Sequence, residues 1–201
     1  MSTEPDDAPT TDAAPGPDPD AHRVAADRPH PAGYRRVGEN RYREQVGFHY
    51  DEIVVGTVIE HRPGRTVTEM DNVLMSMLSM NASPLHIDDA YATRGRWGRP
   101  LVSSLVTLSI VGGMTARSTS GRAIANLGWD RIRLSHPVFV GDTLYAESEV
   151  TGKRLSASRP GEGIVSCRTT GLKATGEVVI TFERSFLLPT HRTRTDHRTG
   201  Y

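Results

Sequence analysis

"SSLVTLSIVGGMTARST", residues 103–119, is apolar on nearly every side of a helical wheel. A helix without a polar stripe has no face to give to water, so it reads as a buried helix. Its longest apolar run, "LVTLSIVGGM" (105–114), is far shorter than the ~20 residues needed to span a bilayer. Gly112 and Gly113 are expected to loosen its end. Four strand-like runs follow, at 122–134, 142–155, 163–174 and 177–189. The turns come from "GDT" (141–143), "SRPGEG" (158–163) and "ATGE" (174–177). The last three runs lie close together and read as an antiparallel meander.

Upstream, "GTVIEH" (56–61) and "RTVT" (65–68) carry β-branched residues on either side of "RPG" and suggest one interrupted strand. Thr68 and Asp71 have the spacing of a capping box for a helix over 69–80. Met70, Val73, Leu74, Met77 and Leu78 recur at helical period, which predicts a face packed in the core. A short helix is expected over 88–95 with Asp88 as its cap. The order is α+β: a strand, a buried central helix, then antiparallel strands.

The ends differ from this core. Residues 1–40 hold seven of the thirteen prolines, and the first twenty residues carry six acidic and no basic side chains. Such a segment buries too little apolar area to offset its ordering entropy, so residues 1–40 are expected to be disordered. Residues 191–201 are expected to be a flexible tail. About 150 residues, 41–190, remain for one domain. The N-terminus has no basic-then-apolar signal pattern. Cys167 is the only cysteine, which excludes an intrachain disulfide and fits a reducing compartment. With 24 basic and 24 acidic residues, nothing in the charge balance calls for nucleic acid or a membrane. These features predict a cytoplasmic protein. His49, His61 and His136 show no ligand spacing, so no metal is expected. No phosphate-binding glycine string occurs, so no nucleotide cofactor is expected.

The stretch most suggestive of chemistry is "MNASPLH" (80–86). Together with the wider segment 49–113, and with "ANLGWDRIRLSHPVFVGDTLYAESEV" (125–150), it resembles the MaoC-like acyl-CoA dehydratase family over roughly residues 45–189. The closest look is to short members acting on branched or dicarboxylic acyl-CoA esters. The resemblance implies a hotdog fold, an antiparallel sheet wrapped around the central helix. It also implies reversible addition of water to a short 2-enoyl-CoA thioester. His86 falls on the family's catalytic histidine, Asn81 on its catalytic aspartate and Ser83 on its asparagine. Ser103 and Ser104 stand where the central helix opens, and the Ser104 N–H falls on the donor to the thioester carbonyl. Asn126 and Trp129 match a recurrent family string.

The chemistry of these residue types agrees in part. A histidine titrates near neutral pH and can exchange the proton that hydration requires. A helix-start N–H suits a developing enolate oxygen. Asn81 departs from the pattern, because an amide can hold water but cannot take its proton. It serves equally as a helix C-terminal cap. Arg94, Arg96 and Arg99 around Trp97 suit the phosphates and adenine of coenzyme A, or form a solvated basic loop. Coenzyme A enters only as part of the substrate. The alternatives are a non-catalytic thioester binder or a hotdog thioesterase, although residues 102–115 hold no carboxylate. A single hotdog implies at least a homodimer.

Overall fold

The computed structural model describes residues 33–191. The chain divides into two units, 1–45 and 46–201. In the first, β1 (Tyr34–Gly38) and β2 (Arg41–Glu44) pair as an antiparallel hairpin. This corrects the expected disorder for residues 34–40. Tyr34, Val37 and Tyr42 supply strand-forming side chains, and the Glu39–Asn40 turn lets the two runs meet. The rest of the expected N-terminal tail, and residues 192–201, lie outside the described residues.

The second unit is built on a five-stranded antiparallel sheet in the order β3-β5-β6-β7-β4. Its strands are β3 (Val58–Thr66), β4 (Ala125–Leu134), β5 (Thr143–Leu155), β6 (Glu162–Lys173) and β7 (Val178–Pro189). The interruption read from "RPG" is a register shift in β3 between His61 and Arg65. Four helices lie between β3 and β4: α1 (Glu69–Ser79), α2 (Pro84–Ile87), α3 (Asp89–Arg94) and α4 (Ser104–Thr115). The expected strands, central helix and meander are all present, and the architecture is the hotdog. No helix among the described residues is long and apolar enough to cross a membrane.

Helix α4 is held against the sheet by Val106, Ile110 and Val111, which pack with Leu144 and Ala146 of β5 and Ile180 and Phe182 of β7. Two glycines permit this closeness. A Cβ on Gly171 would lie 2.7 Å from methyls of Val111 and Ile180. A Cβ on Gly112 would lie 2.8 Å from the Trp129 ring. Gly112 therefore seats Trp129 rather than loosening the helix, which runs on to Thr115 and then widens into a π-type turn over Ala116–Ser120. Trp129 also packs against Phe182, with 4.8 Å between ring centroids.

The π-type turn aims two hydroxyls at buried polar groups of the sheet. Ser118 Oγ is 2.6 Å from His61 Nδ1, and Ser120 Oγ accepts from Arg184 Nη2 at 2.5 Å. His61 Nε2 reaches Ser148 Oγ at 2.8 Å, which in turn meets Thr169 Oγ1. Burial first, then the Arg184 and Arg62 charges, push the His61 imidazole down to about 4. The unfolded chain therefore binds one more proton than the folded one between about pH 6.5 and 4. Stability from this group is present above pH 6.5 and is lost as pH falls through that window. At 1.36 kcal/mol per pH unit the full loss is about 3 kcal/mol. Urea unfolding midpoints should fall on acidification across this range, and His61→Gln should flatten the fall. An unchanged slope in His61→Gln would assign the acid limb to another group.

Candidate active site

Helix α1 starts as its capping box requires: Thr68 N–H and Oγ both donate to Asp71 Oδ2, at 2.8 and 2.9 Å. Arg65 Nη2 pairs with Asp71 Oδ1 at 2.5 Å. Burial acts to raise the Asp71 carboxyl, but the Thr68 and Arg65 hydrogen bonds hold it below its usual value.

The face that α1 buries is not the one its periodicity predicts. Asn72 and Ser76 are buried, one helical turn apart, whereas Met70, Leu74, Met77 and Leu78 are 60%, 49%, 72% and 80% exposed. This corrects the expected core packing of the apolar stripe. Hydrophobic period identifies an apolar face but not the body it packs against. The polar stripe packs inside because its amide has backbone partners there.

Those partners organise the site. Asn72 Nδ2 donates to His86 O (3.2 Å) and Leu101 O (3.1 Å), and Asn72 Oδ1 accepts from Ser103 N–H (2.9 Å). One buried amide thus ties α1 to α2 and to the segment that opens α4. His86 rides on α2, a single turn started by Pro84 with Ser83 as its N-cap. Its Nδ1 faces Leu101 O at 2.8 Å. A carbonyl only accepts, so Nδ1 carries a proton, and in the neutral ring the lone pair is on Nε2. Leu101 N–H donates back to Leu85 O, and Val102 N–H to Val138 O, fixing the same segment from both sides.

His86, Asn72 and Arg99 line a cleft of about 330 Å³ that also holds the carboxylates Glu69 and Asp89. On the far side of residues 101–103, Ser104 and Trp97 line a second cleft of about 260 Å³ with His136. Ser103 caps α4, its Oγ accepting from Leu105 N–H at 3.3 Å. Ser104 is the first residue of that 12-residue helix, where a backbone N–H has no intrahelical acceptor. His86 and Ser104 are thus joined through the 101–103 segment but open into different clefts of one protomer.

Asn81 and Ser83 line neither of these two clefts. The left-handed C-cap of α1 is Met80 (φ 56°) rather than Asn81. Asn81 instead follows it, and its Oδ1 accepts from Ser83 N–H at 3.3 Å. Asp88 caps α3 as expected, accepting from Tyr91 N–H at 2.9 Å. In the arginine loop, Arg96 lies 5.2 Å from the centre of the Trp97 ring and Arg99 lies 3.9 Å from that of Phe139. The Trp97 and Phe139 rings meet edge-on at 6.1 Å. Arg94, on the last turn of α3, and Asn126, on edge strand β4, are exposed and line neither cleft.

Sequence reasoning missed Asn72 and Glu69. The available signal was an asparagine inside a helix, a residue that favours caps and turns and sits mid-helix for a reason. It also missed a group of ligating side chains: His49 and Glu52, three residues apart, are joined by the distant His191.

Residues 52–171 match the MaoC like domain family, and the chain belongs to that family. The chain is 33% identical over 142 residues to mesaconyl-CoA hydratase of Cereibacter sphaeroides, covering 71% of this chain and 41% of that protein. It is 32% identical over 112 residues to the (R)-specific enoyl-CoA hydratase of Aeromonas caviae, covering 56% of this chain and 79% of that one. Among solved structures, a Mycobacterium tuberculosis protein with a double hotdog fold superposes with a TM-score of 0.65 at 26% identity, over 74% of this chain and 46% of that one. The chain therefore spans less than half the length of the mesaconyl-CoA hydratase it matches.

Proposed function

We propose that the chain is a hydro-lyase, reversibly adding water to a short 2-enoyl-CoA thioester, with a branched or dicarboxylic acyl group as the preferred class. The observation that carries this reading is the His86 ring. Its Nδ1–H is spent on Leu101 O, and its Nε2 is left as a base beside a cleft. Similarity to two hydratases of CoA esters supports the same chemistry.

In the hydration direction, His86 Nε2 takes a proton from water as the water oxygen bonds to C3. Electron density moves to the thioester oxygen, and a proton returns to C2. Ser104 N–H, with the α4 dipole behind it, is the proposed donor to that oxygen. Because it opens into a different cleft of the protomer from His86, the two meet one thioester only where a second copy completes the site. Asn81 holds water through the part of its amide not used by Ser83 N–H. The carboxylate missing at Asn81 has two candidate replacements on the His86 cleft, Glu69 and Asp89. Arg94, Arg96, Arg99 and Trp97, with Ser83, Ser103 and Asn126, are proposed to contact the CoA ester. No cofactor beyond the CoA of the substrate is invoked.

A homodimer or higher homo-oligomer is part of the proposal. Leu74 and Leu78 of α1 border an open, largely apolar cleft of about 390 Å³ with Ile110 and Met114 of α4, a surface suited to a second copy.

The test is mass spectrometry of the purified protein with crotonyl-, mesaconyl-, itaconyl- and methylcrotonyl-CoA. Gain of one water by at least one ester is the expected result. Release of free CoA would replace the reading with a thioesterase. Inertness toward all four, with the esters still bound, would make the protein a thioester binder.

A further inference from the structure

We propose that His49, Glu52 and His191 form a binding site for a first-row divalent cation of the Zn²⁺ class. Two imidazoles and one carboxylate are the donor types such ions take. One ligand atom from each of the three residues lies within 4.8 Å of the other two.

The local fold explains how they meet. His49 precedes a single 3-10 turn, Tyr50–Glu52, that swings Glu52 back over it. Glu52 Oε2 accepts from His49 N–H at 2.6 Å and lies 3.3 Å from His49 Nδ1. At the other end of the unit, Thr190 N–H donates to Gly161 O as β7 ends. His191 N–H then donates to Asp51 Oδ2 at 2.8 Å, which sets the last histidine over the same turn. The His49 and His191 rings lie 4.4 Å apart between centroids. His191 Nε2 is 3.8 Å from Glu52 Oε1, the oxygen not bonded to the His49 backbone.

Ligand atoms around a tetrahedral ion with bonds of about 2.0–2.1 Å are separated by about 3.3 Å. The His49 Nδ1 to Glu52 Oε2 separation, 3.3 Å, is already at that value, and His191 Nε2 approaches the other oxygen of the same carboxylate at 3.8 Å. The remaining adjustment falls on Glu52 and His191, which are exposed and can rotate. His49 is buried, so one ligand is held rigidly while the other two admit the ion from solvent. Arg122 opposes a dication, so the open coordination position suits water or an anion. The site shares no residue with the His86 cleft. Its effect is structural: the ion would staple the end of β7 to the turn that precedes β3.

The experiment uses the full chain without an affinity tag, stripped with chelator and titrated calorimetrically with Zn²⁺. Co²⁺ absorption serves as a second probe of nitrogen and oxygen ligation. Wild type should bind one ion per chain and gain thermal stability. Glu52→Gln and His191→Ala both alter exposed residues, and each should weaken binding by roughly tenfold or more while unfolding normally without metal. His197→Ala, in the C-terminal segment, should bind as wild type. Absence of binding in wild type would overturn the site. So would affinity unchanged in Glu52→Gln and His191→Ala, or lost only in His197→Ala.

Discussion

His86→Ala should lower enoyl-CoA hydration by roughly 10²–10⁴-fold, the range for loss of a positioned acid–base group. The loss should fall on kcat, because the ring is proposed to move protons in the transition state rather than to bind the ester. The fold should survive. His86 is only half-buried, and the acceptor it leaves, Leu101 O, still receives Asn72 Nδ2. The check is the steady-state rate on whichever ester wild type hydrates, with thermal unfolding run on the same samples. A fall of less than about tenfold with the fold intact would remove His86 from the mechanism. Glu69→Gln and Asp89→Asn in the same assay ask which carboxylate stands in for the one that Asn81 lacks.

Asn72→Asp should be the most damaging isosteric change in the protein. The Ser103 N–H keeps its acceptor. The carbonyls of His86 and Leu101 lose their donor and face a carboxylate instead. Unpaired buried polar groups cost about 1–3 kcal/mol each, so the expected loss is about 3–5 kcal/mol. Asn72 is a positioning residue, reaching the chemistry only through His86 and the 101–103 segment. Its variant should therefore lower kcat as well as the urea midpoint. Loss of stability alone, with kcat intact in the folded fraction, would limit Asn72 to the fold.

The fold was legible because its signals are local. The all-round apolarity of 104–115, the turn strings between strands and the Thr68–Asp71 box each act over a few residues. Each is a short-range consequence of chain chemistry. His86 was legible through its string, and the cap Asp88 through residue type. What escaped was long-range. Asn72 reaches His86, Leu101 and Ser103 through pairings that no spacing announces. His49 and His191 meet only because β7 ends over the turn at Tyr50–Glu52. The direction of the α1 stripe could not be read at all, since the same period fits a helix facing either way. The early hairpin was hidden by the acidic, proline-rich composition of its neighbours.

That helix has a consequence for reading genetic variation. Its two faces answer to different selective demands. Lesions at Asn72 or Ser76 strike the protomer's own folding and should surface as loss of abundance. Lesions at Met70, Leu74, Met77 or Leu78 change exposed side chains and, under the proposed homo-oligomer, would be felt where chains meet. The conventional expectation that apolar helix positions are the intolerant ones is reversed at these four positions, while Met75 of the same helix packs against the core.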